Sequence, residues 1–215
     1  MYSDDTRKKL QDIINGKHIT WQGDTCTAAR NFLCNRFSPN TTVKKDFDQQ
    51  SAIKKEQGKV LNSFIEQNSL WLEPPDETER FLTEGGEAKI YFSRQGAGVI
   101  KVNDAVYYLT WLDFFTSVLI HNLLFEETRY ALMGFINEAS VLKAVLQQTF
   151  VVSDSAVDLT AVRSFLEYNG FENTKRNDYY NKELGLILED IHDENVIMNS
   201  GVMFFIDTVF YVNLP

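Results

Sequence analysis

Cysteine, proline and net positive charge are all scarce in these 215 residues, and each scarcity excludes something. The two cysteines, Cys26 and Cys34, stand eight residues apart. That spacing matches no zinc or redox motif, and two thiols cannot build a disulfide framework. Both read as reduced, half-buried thiols. Of only four prolines, two are adjacent, Pro74-Pro75, inside the acidic stretch EPPDETE, which marks the clearest linker. Asp and Glu outnumber Lys and Arg by 30 to 21, for a formal net charge of −9. Affinity for nucleic acid comes largely from neutralising phosphates, so no nucleic-acid partner is expected. A long uninterrupted apolar run is also missing. The nearest, YYLTWLDFFTSVLIHNLLF at 107–125, carries Asp113, His121 and Asn122 and is too short and interrupted to span a bilayer. No membrane association is expected. MYSDDTRKKL lacks the apolar core of a signal peptide, so a cytoplasmic location is expected.

What is abundant is apolar and aromatic material: 44% hydrophobic residues, with 16 Phe. A chain of this size and composition folds as one large domain or two small ones. Residues 1–77 read as a helical segment. SDDTRKKLQDIING has acidic residues in its first turn and Gly16 as a stop, and Asp24 caps DTCTAARNFLCNRF. Ile53, Val60, Leu61, Phe64 and Ile65 recur at helical spacing. The period then changes. Residues 80–83, 88–92 and 98–102 read as short strands separated by Gly-containing turns. Thr110 and Asp113 form a capping box for a helix to about Phe125. RYALMGFI and SVLKAVLQQTFVV read as two further strands. The next helix lies in SAVDLTAVRSFLEYNG, with Ser155 and Asp158 in capping-box positions and Gly170 as its stop. LGLILED, VIMN and MFFID then form a hairpin-like set. The reading is α+β, in three parts: 1–77, 78–152 and 153–215.

The last part holds the most chemistry. LEDIHDENVIMNSGVMFFIDT, residues 188–208, sets five acidic residues, one His and two Asn among apolar runs. A carboxylate beside buried strand needs a cation or a chemical task, because burying it unpaired costs several kcal/mol. Asp190 precedes Asn195 by five residues, and Asp207 follows Asn195 by twelve, after an apolar run. Phosphoryl transfer uses such a set: one carboxylate for the attacking hydroxyl, an amide oxygen and a second carboxylate for a metal ion. Mg²⁺ takes hard oxygen ligands and keeps waters, so two protein ligands plus ATP phosphates suffice. The bland alternative is a solvated acidic turn. His192 reads as structural, bracing the loop, and His121-Asn122 as a satisfied helix-end cap.

DIHDEN resembles the Asp-(Leu/Ile)-His-x-x-Asn loop of aminoglycoside and choline phosphotransferases, which have the protein-kinase-like fold. The wider chain, through EGGEAKIY, VIKVND, IHNLLF, YALMGF, QQTFV, YNGF and DIHDENVI…FFID, resembles the kinase domains of bacterial polyvalent proteins of mobile elements. This likeness covers roughly residues 80–210 and extends over the N-terminal helices. It implies a protein-kinase-like fold with a β-rich N-lobe at 78–152 and a reduced C-lobe at 153–215. It implies Asp190 as catalytic base and Asn195 and Asp207 as metal ligands. Lys101 in VIKV corresponds to the strand lysine that contacts the α/β-phosphates, and Gly85-Gly86 to the loop that covers them. Gln148 and Phe150 lie where the lobe-joining segment binds adenine through its backbone. ATP and Mg²⁺ are the implied cofactors, with a nucleotide and an unspecified hydroxyl acceptor, protein or small molecule, as partners. A protein partner would use the N-terminal helices.

The pattern departs in three places. Leu188, not His, stands two before Asp190; the helix after Thr110 carries no Glu to pair with Lys101; and only TVFYVNLP follows Asp207, without Asp-Phe-Gly or an activation loop. Two functions are therefore carried forward. One is an ATP- and Mg²⁺-dependent phosphotransferase. The other is a catalytically inactive kinase-like module that binds a nucleotide or a partner.

Overall fold

The computed structural model describes residues 2–21, 23–38, 47–75, 80–86, 88–93 and 98–213. Three helices come first: α1 (Asp4–Ile14), α2 (Thr25–Cys34) and α3 (Phe47–Gln67). Ser3 caps α1 by accepting from the Thr6 amide, and Asp24 caps α2 by accepting from the Thr27 amide, 3.1 Å in both cases. Such caps satisfy amides that have no partner within the helix. Gly16 ends the first helical stretch at φ 70°, as its place in the sequence predicts.

Five strands then form one antiparallel sheet in the order β1-β2-β3-β5-β4. They are β1 (Phe81–Glu84), β2 (Ala88–Phe92), β3 (Gly98–Asn103), β4 (Ala131–Glu138) and β5 (Val141–Thr149). Helix α4 (Trp111–Leu124) is inserted between β3 and β4. Its first-turn amides are matched from two sources: Thr110 Oγ1 accepts from Asp113 N at 3.1 Å, and Gln57 Oε1 on α3 accepts from Leu112 N at 2.9 Å. Eleven of its fourteen residues are buried, which explains the membrane-like composition: this helix is wrapped on all sides by protein. Helices α1, α2 and α3 cover one side, and the C-terminal strands cover another. One continuous cluster of buried apolar side chains runs from Leu10 and Leu33 through Phe115 and Leu119 to Leu188 and Phe210. Residues 70–72 also join the sheet edge, where Trp71 forms a parallel bridge with Phe135. No helix among the described residues is long and apolar enough to cross a membrane.

The remainder is α5 (Leu159–Tyr168) and six four-residue strands: β6 (Glu172–Lys175), β7 (Asp178–Asn181), β8 (Leu186–Glu189), β9 (Val196–Asn199), β10 (Val202–Phe205) and β11 (Val209–Val212). Strands β9 and β10 form a hairpin, and the others a sheet in the order β11-β8-β7-β6. Two local expectations are corrected. The cap of α5 is Asp158, whose side chain accepts from Thr160 N, while Ser155 forms a bridge with Met198 instead. LGLILED does not join the β9–β10 hairpin; β8 pairs with β7 and β11. His121-Asn122, expected as a satisfied pair at a helix end, is in the last turn of α4 with both side chains hydrogen-bonded. Asn122 donates to the Tyr130 carbonyl and accepts from its amide, both at 2.7 Å.

Candidate functional site

Two antiparallel registers position the residues of the DIHDEN segment. In the β8–β11 ladder Glu189 faces Val209 and Leu188 faces Phe210. Asp190 leaves the end of β8 where Asp207-Thr208 enters β11, so the two strand ends lie side by side. In the β9–β10 hairpin Val196 faces Phe205, and the Ile206 amide continues the ladder by donating to the Asn195 carbonyl at 3.0 Å. Asn195 is thereby set beside the residue that precedes Asp207.

The side chains follow. Asn195 Nδ2 donates to the Asp190 carbonyl at 2.9 Å and to Asp190 Oδ2 at 3.2 Å. With the amide nitrogen committed there, Oδ1 is the acceptor Asn195 retains. Asp190 itself has φ 65°, a left-handed conformation that a short polar side chain tolerates better than most. Its carboxylate is about two-thirds exposed (63%) and lies 3.4 Å from His192 Nε2. His192 Nδ1 meets the Glu194 amide at 3.2 Å, so the ring braces the loop from inside. Next to Asp190, burial raises the Glu189 carboxyl above the usual range, and the charges of Asp178 and Asp190 add to the rise.

Lys101 reaches this cluster from the other sheet. It sits mid-strand on β3 with a side chain only 6% exposed, and its Nζ lies 3.5 Å from Asp207 Oδ2. The same ammonium donates to the Ile206 carbonyl at 2.8 Å and to the Tyr130 hydroxyl at 3.3 Å. Tyr130 in turn donates to the Ile206 carbonyl at 2.9 Å and lies 3.4 Å from Asp207 Oδ1. A charge this buried is stable only when paired and hydrogen-bonded. The sequence left the acidic partner of Lys101 open; here it is Asp207.

Helix α4 faces the cleft with Phe114, Ser117 and Val118 rather than with a carboxylate. Ser117 Oγ accepts from the Phe210 amide at 2.9 Å, fastening the helix to β11. One turn on, His121 is fully buried between Thr208 Oγ1 at 2.8 Å and the Thr128 carbonyl at 2.9 Å. The carbonyl needs a donor, so Nε2 carries the proton and Nδ1 accepts from Thr208. Burial pushes the imidazole down to about 4, so the ring is neutral.

The other residues singled out lie around this centre. Gly85 N donates to Ala88 O at 2.9 Å and closes the β1–β2 turn. Gly86 lies against the Tyr107 ring, where a Cβ would strike the hydroxyl. Gln148 is buried on β5, its Nε2 donating to the Thr128 carbonyl at 2.6 Å. Phe150 follows β5 and packs edge-on against Phe92, centroids 5.4 Å apart. The connector beyond it is tied to the β9–β10 hairpin by Asn199 Nδ2 to Val152 O at 2.8 Å and Asp154 N to Met198 O at 3.1 Å. Sequence reasoning missed Tyr130, Thr208 and Tyr107. Their importance arises only from contacts across the fold, and no spacing in the chain announces it.

A family described as Serine/Threonine/Tyrosine Kinase found in polyvalent proteins matches residues 54–214. The chain belongs to this kinase family. The match begins inside α3 and takes in both sheets, α4 and the whole Lys101–Asp207 centre. Of the N-terminal helices over which the likeness was expected to extend, the match takes in most of α3 and leaves α1 and α2 outside; Lys54, at its start, grips the loop before α4, donating to the Ala105 and Tyr108 carbonyls. No curated protein and no solved structure matches the chain significantly. The α+β architecture of helices and antiparallel sheets accords with the family.

No three His, Cys, Asp or Glu side chains group together as metal ligands among the described residues. Mg²⁺ takes one or two protein oxygens and fills its octahedron from water and phosphate. Asp207 and Asn195 Oδ1 are the oxygens here that could hold such an ion, and Lys101 lies 3.5 Å from the first of them.

Proposed function

We propose that the protein is an ATP- and Mg²⁺-dependent phosphotransferase of protein-kinase-like fold, related to the aminoglycoside and choline phosphotransferases, that acts on a hydroxyl acceptor. The observation that carries the reading is the meeting of buried Lys101 with Asp207 at 3.5 Å, beside an Asn195 whose amide is tied to Asp190. The five-stranded sheet serves as the N-lobe and the segment from 153 onward as a reduced C-lobe. Mg·ATP supplies the phosphoryl group, and Asp207 and Asn195 Oδ1 are the oxygens that would hold the metal. Lys101 binds the α/β-phosphates, the Gly85-Gly86 turn covers them, and the backbone at Gln148 and Phe150 receives adenine. Asp190, on an exposed loop end, accepts the proton of the attacking hydroxyl. Catalysis of this kind is positioning and charge neutralisation, which a fixed lysine and two fixed oxygens provide.

A catalytically inactive kinase-like module is the second reading, favoured by the absence of a carboxylate where α4 faces Lys101. Two measurements separate them. Thermal stability should rise with nucleotide as RT ln(1 + [L]/Kd), and only with Mg²⁺ present to its full extent. Asp190→Ala should abolish ATP turnover and leave binding intact, while Asp207→Asn should weaken Mg·ATP binding itself. Binding without turnover in the unaltered protein would favour the inactive module; no binding at millimolar nucleotide would remove the phosphotransferase and leave the partner-binding form of that module.

A further inference from the structure

Tyr107 stands between two parts of the proposed site that lie far apart in the chain, the Gly85-Gly86 turn and the Asp190 loop. It belongs to the loop joining β3 to α4, whose backbone is held from several sides. Asn103 Oδ1 accepts from the Ala105 amide at 2.6 Å and Asp104 Oδ1 from the Val106 amide at 2.9 Å. Lys54 donates to the carbonyls of Ala105 and Tyr108, and the Tyr211 hydroxyl donates to the Tyr107 carbonyl at 2.9 Å. A loop pinned this way aims its side chain. The Tyr107 side chain is not itself pinned: the residue is 54% exposed, and among the described residues no hydrogen bond holds its hydroxyl.

One edge of the ring is against Gly86, where an added Cβ would meet Oη and come within 3.1 Å of Cζ. The ring also walls an open groove of about 300 Å³ whose other walls are Asp178, Glu189, Asp190, Val209 and Tyr211. The groove thus contains two phenols and the proposed base. Tyr211 has its hydroxyl proton committed to the Tyr107 carbonyl, which leaves Tyr107 as the phenol free to act as nucleophile. A phenol becomes an effective nucleophile when a base takes its proton, and Asp190 borders the same space.

We propose that Tyr107 is a phosphate acceptor in cis, an autophosphorylation site built into the loop between β3 and α4. The inference rests on the phosphotransferase reading above. In the step, Tyr107 Oη forms a bond to the γ-phosphorus of Mg·ATP as the bond from that phosphorus to the β,γ-bridging oxygen breaks. The phenolic proton passes to Asp190, and ADP leaves with the bridging oxygen. The product carries a charge of about −1.5 to −2 at neutral pH. Beside Asp178, Glu189 and Asp190 that charge is repelled, and a phosphate is too large for the contact that now exists at Gly86. The modified side chain swings out, and the groove it walled becomes open to a second acceptor.

The test is to incubate the full chain with Mg·ATP, follow ADP release, and map phosphate by peptide mass spectrometry. The expected result is a single phosphate on Tyr107, formed at a first-order rate that is unchanged over a hundredfold range of protein concentration. Asp190→Ala should reduce that rate at least a hundredfold. Tyr107→Phe, which keeps the ring and its packing, should remove the phosphate while Mg·ATP still raises thermal stability. Asp190-dependent ADP release with no phosphate at Tyr107 overturns the inference and leaves the phosphotransferase intact. A rate that rises in proportion to protein concentration overturns the cis assignment. Nucleotide binding without ADP release, or no binding at all, overturns the phosphotransferase and this inference together.

Discussion

Lys101 Nζ and Asp207 Oδ2 face each other at 3.5 Å across the two sheets, with the lysine 6% and the aspartate 34% exposed. The burial is unequal, so the two ends of the pair contribute differently. Replacing Asp207 by Asn leaves a buried ammonium that faces neutral groups in place of the carboxylate. Replacing Lys101 by Met leaves a carboxylate that water can reach. In the absence of nucleotide, Asp207→Asn should destabilise the fold by on the order of 1–3 kcal/mol, less than for a fully buried pair because water screens Asp207. The double variant Lys101→Met/Asp207→Asn should lose less than the sum of the single losses, by about 0.5 kcal/mol or more. Urea unfolding of the four proteins measures the coupling, and additive losses would show that the pair is not coupled.

The neutral His121 predicts a pH dependence with a definite sign. Its folded value is pushed down to about 4 by burial, against 6.5 for the free side chain. The unfolded chain therefore takes up a proton at a higher pH than the folded one. The stability contributed by the neutral ring is complete above about pH 6.5 and is lost as the pH falls toward 4. At about 1.4 kcal/mol per unit, the loss approaches roughly 3 kcal/mol at the acid end. Urea midpoints measured between these values for the unaltered protein and for His121→Asn should show a slope in the first that is reduced in the second. Equal slopes would place the acid sensitivity elsewhere.

Gly134 predicts a steric effect far from the chemistry. The Phe135 amide donates to the Leu70 carbonyl, and the Leu72 amide to the Phe135 carbonyl, each at 2.8 Å. A Cβ on residue 134 would strike the Leu70 carbonyl oxygen and come within 2.8 Å of Leu72 Cγ. Gly134→Ala should cost roughly 1–3 kcal/mol, in the range for overfilled positions. Hydrogen exchange should then report loss of protection at the Leu72 and Phe135 amides before any at β8 and β11. Unchanged protection at Leu72 would show that the 70–72 segment absorbs the extra methyl.

The parts of the fold that could be read from the chain are those whose signals are local. The period-two runs at 80–102, the cap at Thr110 and the Gly16 and Gly170 stops all rest on neighbours within a few residues, and the structure has strands and helices there. What escaped was short or decided at a distance. Strands β6 and β7 have four residues each and join through Arg176-Asn177, a two-residue turn with Arg176 at φ 48° that could have been recognised. Strand β11 has no local signal, because VFYV becomes a strand by pairing with β8. At the candidate site, spacing pointed to Asp190, Asn195 and Asp207, and the structure adds what spacing cannot carry. Tyr130 joins Lys101 to Ile206, and Thr208 answers His121 over 87 positions of sequence.

The pairing of β8 with β11 has a mechanical consequence. Asp190 and Asp207 emerge from the ends of one ladder whose facing residues, Leu188 and Phe210, are both buried. Slipping that ladder by one position would turn each apolar side chain to the wrong face, so the smallest tolerable slip is two residues, about 7 Å at ~3.4 Å per residue. The distance between the two carboxylates is thus geared rather than elastic. It can hold its setting or jump a whole notch, but it cannot drift.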